Sequence, residues 1–356
     1  MSEKLLVSGN VAVAMGAIAA GCKYYFGYPI TPQSEIPEYM SRELPRAGGV
    51  FLQAESEIAS INMLLGASAC GERAMTSSSS PGISLKQEGI SYMAGSELPG
   101  LIVNICRSGP GLGGIDASQA DYFQSVKTGG HGGYRTIVVA PDSVQEMYDL
   151  AMLAFDLSDH YRTPALLLAD SVIGQMKEAL EPKPRPDTAL PDKDWAVSGK
   201  QGRPDQRIVK SLYLGEGELE QHNWKLYNRY QELCAKEQRH EGQHLEDAEL
   251  IVTAYGSTAR IAKSAVRMAR EAGLKVGLLR PITLYPFPEQ AFQEATVTCK
   301  QVLCVELSTG QMVEDVRLSV REGTQVDFYG RPPGTGSLPT PEELFEQIRT
   351  RIGGDA

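Results

Sequence analysis

Tyr28-Pro29-Ile30-Thr31-Pro32, followed by Gln53-Ala54-Glu55-Ser56-Glu57, decides how this chain folds. The run 23–28 predicts a short strand that ends in a proline-stiffened turn. The run 49–53 predicts the next strand, and it passes straight into acid. About one βα unit separates the two. A carboxylate that enters a helix behind a buried strand sits in a partly dry site, where it can do proton chemistry. Thr31 ahead of Pro32 predicts a helix N-cap with proline at the first helical position. Helix starts of that kind bind anions.

Outward from this point, residues 1–175 alternate strand and helix. Segments 11–20 and 58–69 read as helices, the second opened by Ser56-Glu57. Segments 74–76, 101–106, 136–139 and 165–168 are short apolar runs of buried-strand type, with a helix over 144–157. Repeated βα units with short loops predict an α/β fold built on a doubly wound parallel sheet. Residues 176–247 break the pattern. Proline and charge crowd 181–191, polar residues fill 201–206 and 215–221, and 224–239 reads as one exposed helix. This segment reads as a linker or wrapping arm. A second α/β unit occupies 248–356, with strands at 250–254, 276–279 and 301–306 and helices at 259–272 and 312–322.

The 356 residues suffice for two ordinary domains. A net charge of −10 argues against a nucleic-acid partner, which needs a basic patch. No apolar run reaches membrane-spanning length, and the N-terminus lacks a signal-peptide pattern, so the expected location is the cytoplasm. The six cysteines form no CxxC pair. Cys299 and Cys304 are close, but no second pair completes a four-thiolate site. The expected state is reduced thiols, with no iron–sulfur cluster or structural zinc on this chain.

Several residues invite two readings. Glu57 is either a proton-handling acid or, with Ser56, part of a helix cap that favours the macrodipole. Thr31 is a ligand contact or a cap. Arg107 follows an apolar strand, at the carboxyl end where open α/β sheets bind ligands. A guanidinium there suits a carboxylate; the plain alternative is a surface ion pair. Gly109-Pro110-Gly111-Leu112-Gly113-Gly114 fits a dinucleotide fingerprint literally, but neither an apolar helix nor an acid follows where that motif requires them. It reads as a close-approach loop, and 76–82 reads as a serine-rich turn after a strand. His131 lies in a glycine loop and stays outside the catalytic set. His240 and His244 lack a third ligand for a metal.

Segments 28–35, 53–66 and 76–82, with 104–134 and the C-terminal third, resemble the α subunit of the thiamine-diphosphate-dependent 2-oxoacid:ferredoxin oxidoreductases. The resemblance covers nearly the whole chain. It is closest to subunits assigned to branched-chain 2-oxoacids (2-oxoisovalerate type) and to 2-oxoglutarate. It implies a pyrimidine-binding domain over 1–175 and a transketolase C-terminal-like domain over 248–356. It implies that Glu57 hydrogen-bonds the aminopyrimidine of thiamine diphosphate and so promotes ylide formation. Glu57 lies nine residues before Gly66, in the family's Glu-x8-Gly frame, which Glu55 fits less well. The resemblance places Tyr28, Pro29 and Ile30 beside the cofactor and assigns Thr31 and Arg107 to the 2-oxoacid. The family reaction is oxidative decarboxylation with coenzyme A, giving acyl-CoA, CO₂ and reduced ferredoxin. Such enzymes hold Mg²⁺-diphosphate with a Gly-Asp-Gly motif, which occurs nowhere here. Mg²⁺ and an iron–sulfur cluster are therefore expected on a β subunit. A γ subunit, a ferredoxin-like δ subunit and ferredoxin are the further expected partners. Two other readings stand beside this one: a component of a non-redox thiamine enzyme (transketolase-like or a 2-oxoacid decarboxylase), and a non-catalytic scaffold.

Overall fold

Strand and helix alternate from the first described residues, as the apolar spacing requires. The computed structural model describes residues 4–334 and 338–353. The first unit runs β1 Leu5–Ser8, α1 Gly9–Ala19, β2 Tyr24–Gly27, α2 Glu35–Arg46, β3 Val50–Gln53, α3 Glu57–Ala69, β4 Ala74–Ser78, α4 Ser80–Gly95 and β5 Gly100–Cys106. It continues with α5 Tyr122–Val126, β6 Ile137–Val139, α6 Val144–Tyr161, β7 Pro164–Asp170, α7 Ser171–Gln175 and β8 Lys177–Leu180. Next come α8 Glu218–Lys236 and β9 His240–Gln243. The last third holds β10 Leu250–Thr253, α9 Gly256–Glu271, β11 Val276–Pro281, β12 Thr283–Tyr285, α10 Glu289–Ala295, β13 Gln301–Glu306, α11 Met312–Ser319, β14 Gln325–Gly330 and α12 Pro341–Gly353.

Seven strands form the first sheet, in the order β12-β6-β7-β5-β4-β2-β3. All pair in parallel except β12, which runs against β6. Strands β5 and β7 are buried along their whole length, which is why they read as unbroken apolar runs. Helices α1, α2 and α6 cover one face and α3 and α4 the other. The chain leaves β2 for β3 on one side and then crosses to β4 on the other. That reversal is where doubly wound sheets open a ligand crevice at their carboxyl ends. A second sheet runs β14-β13-β10-β11-β9, parallel except for β9.

The 176–247 segment is tied down rather than loose. Strand β8 pairs antiparallel with β1, and β9 joins the second sheet. Arg185 and Lys193 reach Asp156 and Asp159 of α6, which also hold Arg73. The helix expected to be exposed over 224–239 starts earlier and buries one face. His222, Leu226, Tyr230 and Leu233 recur at helical spacing and pack inward, whereas Trp224 and Tyr227 stay outside. Glu97 draws α8 onto the first unit through Lys225 and Arg229. Burial alone would push the Glu97 carboxyl up, but the two cations hold it down at about 2. The first sheet also borrows β12 from within 248–356. Next to it, buried Arg280 of β11 pairs with Glu241 of β9 at 2.8 Å and with Glu146 of α6 at 2.6 Å, which ties the second sheet to a helix of the first unit. No helix among the described residues is long and apolar enough to cross a membrane.

Candidate active site

Strands β5, β4, β2 and β3 are neighbours and deliver four segments to one edge of the sheet. Thr31 follows β2, Glu57 opens α3 after β3, Ser80 opens α4 after β4, and Arg107 follows β5.

The 28–33 turn is fixed from beneath. Gln33 is buried; its Nε2 donates to Tyr28 O at 3.3 Å and its Oε1 accepts from Ser77 Oγ at 2.6 Å. Ser77 Oγ also lies 2.6 Å from the Tyr25 hydroxyl, and Asn10 Nδ2 donates to Pro32 O at 3.0 Å. Tyr28, Pro29 and Thr31 are thereby left exposed at the sheet edge, with Ile30 half-buried. Thr31 is not a helix cap. Pro32 and Gln33 are committed to anchoring the turn, so α2 begins only at Glu35, behind Ser34.

Ser56 and Glu57 divide two tasks that the sequence left joined. Ser56 is the N-cap, and its Oγ accepts from Ala59 N at 3.1 Å. Glu57 is 6% exposed, whereas Glu55 is exposed. No hydrogen bond reaches the Glu57 carboxylate among the described residues. Across from it lies Gly82 of α4. A Cβ on Gly82 would sit 2.0 Å from Ser78 Oγ and 2.6 Å from Glu57 Oε1. Ser78 Oγ is itself buried without a partner. An unpaired carboxylate and an unpaired hydroxyl thus meet over a residue without a Cβ, and the carboxylate is free to hydrogen-bond a ring nitrogen. One turn along α4, Lys86 is fully buried. Its Nζ donates to Ser60 Oγ and, at 3.4 Å, to Glu57 O. Burial pushes the Lys86 ammonium down to about 7, with Glu57 opposing the shift.

The serine-rich stretch is therefore not a turn. Strand β4 runs through Ser78 and α4 starts at Ser80, with Pro81 in its first turn. That proline was the signal for a helix start that composition obscured. The roles of Gly82 and Lys86 were invisible without the α3–α4 contact. Gly82→Ala should lower cofactor-dependent turnover on the order of 10²-fold, since small misplacements of a reacting group carry penalties of that size. Far-ultraviolet circular dichroism should stay unchanged, because alanine suits a helix better than glycine. Unaltered turnover would show that Glu57 needs no such clearance.

Arg107 is 8% exposed and has no carboxylate partner among the described residues. Nη1 donates to Thr31 O at 3.1 Å and Nη2 to Leu112 O at 3.2 Å, while Nε is buried and unpaired. Ser80 Oγ holds its backbone N at 3.0 Å. A buried guanidinium without a counter-charge is unfavourable, and an incoming carboxylate supplies that charge. Leu112 belongs to the 109–114 glycine loop, in which Gly113 has φ +61 and packs against Ser108 O. The next helix, α5, has five residues, too short for a dinucleotide fold's phosphate helix. His131 is exposed, with its ring edge-on to Tyr92, and the structure does not bring it to Glu57 or Arg107.

Comparisons with known proteins identify the family. Residues 15–241 match the family model described as pyruvate flavodoxin/ferredoxin oxidoreductase, thiamine diphosphate-binding, and 248–344 match pyruvate:ferredoxin oxidoreductase core domain II. The chain belongs to this family of 2-oxoacid oxidoreductases. The ketoisovalerate oxidoreductase subunit VorB of Methanothermobacter marburgensis is 53% identical, over 98% of each chain. The 2-oxoglutarate synthase subunit KorA of Methanocaldococcus jannaschii is 39% identical, over 96% of this chain and 98% of its own. A solved 2-oxoglutarate:ferredoxin oxidoreductase from Magnetococcus marinus, with 2-oxoglutarate, coenzyme A and succinyl-CoA bound, superposes with a TM-score of 0.90 at 28% identity. That match covers 99% of this chain and 66% of the other, so this chain spans about two thirds of the solved one.

Proposed function

We propose that this chain is the α subunit of a cytoplasmic 2-oxoacid:ferredoxin oxidoreductase acting on a branched-chain 2-oxoacid. The observation that carries this reading is the buried, uncompensated guanidinium of Arg107, held beside Thr31 on the same sheet edge as Glu57. The branched-chain substrate is favoured over 2-oxoglutarate by the greater identity to the ketoisovalerate relative, 53% against 39%.

Thiamine diphosphate, when bound, supplies the carbon nucleophile that attacks the keto group and the electron sink for loss of CO₂. This chain contributes binding and proton handling. Glu57 holds a proton at its carboxylate for exchange with the pyrimidine ring nitrogen. Tyr28, Pro29 and Ile30 form the rigid turn beside the cofactor. Arg107 takes the substrate carboxylate next to the keto group, and the Thr31 hydroxyl orients the substrate. The remaining half of the site falls to a β subunit, which carries the diphosphate, Mg²⁺ and an iron–sulfur cluster. Coenzyme A is the acyl acceptor. A γ subunit, a ferredoxin-like δ subunit and ferredoxin complete the assembly and carry the electrons away.

The isolated chain should bind thiamine diphosphate weakly, because Gly-Asp-Gly is missing from it. Calorimetric titration with cofactor and Mg²⁺ checks this, and tight stoichiometric binding would contradict the divided site. The subunit purified with its partners should be brown, with the broad visible absorption of iron–sulfur clusters. A colourless, active assembly would favour a non-redox thiamine enzyme.

A further inference from the structure

Lys86 has no part in the function described above, yet it is among the largest fully buried side chains. Gly82, Lys86 and Gly89 share one face of α4, and that face packs on α3. A Cβ on Gly89 would meet Ile61 at 2.5 Å, so the two helices approach closely. Between the two glycines the lysine reaches the first turn of α3. There it donates to Ser60 Oγ and to the main-chain oxygen of Glu57. Thr76 Oγ1, on β4 beneath, lies 3.5 Å from Ser60 Oγ and is neutral. Among the described residues, Glu57 is the charged group whose field opposes the effect of burial on the amine. A methionine would fill similar space without burying an ionisable group. The chain instead places a titratable amine against the first turn of the helix that Glu57 opens.

We propose that Lys86 is a positioning residue for the reaction: it pins the first turn of α3 and, through its charge, sets the pH at which the bound aminopyrimidine, protonated on the ring nitrogen that faces Glu57, loses a proton from its exocyclic amine to give the imino tautomer. This rests on the role given to Glu57 above. A positive charge near Glu57 makes that proton easier to lose. With a neutral side chain at position 86, the proton is held to higher pH, and the imino tautomer of bound thiamine diphosphate forms later.

Lys86→Met and Lys86→Gln in the assembled enzyme test this. The readouts are the near-ultraviolet circular dichroism band of the imino tautomer and the pH profile of kcat/KM. Glutamine keeps a donor for Ser60 and removes the charge; methionine removes both. In both variants the tautomer midpoint and the acidic limb of the rate profile should move up by about one pH unit. A wild-type midpoint in Lys86→Gln overturns the charge effect and leaves only a hydrogen bond. That variant decides alone if Lys86→Met does not assemble. Unmoved midpoints in both overturn the proposal. An imino band present in the unaltered enzyme keeps these results separate from failure of the Glu57 reading, which its absence would signal and which would overturn both.

Discussion

Glu57→Gln should lower turnover of the assembled enzyme by roughly 10²–10⁴-fold, the range of a single positioned acid–base group. The substitution keeps the size of the side chain and its place beside Gly82. It leaves the helix cap intact, because Ser56 and not Glu57 accepts from the first turn. What is lost is a carboxylate able to take and return a proton. Glu55→Gln should do far less, since Glu55 is exposed and Glu57 is 6% exposed. Steady-state kinetics on both variants, with assembly checked by size-exclusion chromatography, decide the matter. Equal and mild effects would remove Glu57 from the catalytic site.

Arg107→Lys should reduce kcat/KM about tenfold to a hundredfold, although the charge is kept. Lysine loses the planar fork that matches a carboxylate. A charge-assisted hydrogen bond is worth roughly 1.5–3 kcal/mol, which converts to a loss of that order. Lysine also replaces the two separate Nη donors that hold Thr31 O and Leu112 O with a single ammonium. The loss should be similar for every 2-oxoacid, because all share the carboxylate next to the keto group. A loss confined to 2-oxoglutarate would mean that Arg107 reads a distal carboxylate. No loss with any substrate would remove Arg107 from the site.

Sequence made the centre of the first sheet legible because strands such as β5 and β7 are buried on both faces and read as unbroken apolar runs. Arg107 could be singled out for a related reason, because it directly follows buried β5; Glu57 instead opens the helix after β3, an edge strand that is mostly exposed and not the buried strand its position suggested. Less of the detail was legible where long-range contacts decide it. Thr31-Pro32 has the composition of a helix start, but Asn10 and Gln33 draw it into a turn. The buried stripe of α8 depends on Glu97 and on the first unit it packs against. Gly82 and Lys86 carry no motif; their meaning arises only where α4 meets α3. Period counting reads one element at a time, and contacts between elements leave no mark on that period.

The most direct test of the account is a panel of 2-oxoacids offered to the co-expressed complex with coenzyme A and a viologen acceptor. Viologen reduction should require both coenzyme A and a 2-oxoacid, with branched-chain 2-oxoacids such as 2-oxoisovalerate giving the highest kcat/KM. Decarboxylation without acceptor reduction, or no response to any 2-oxoacid, would contradict it.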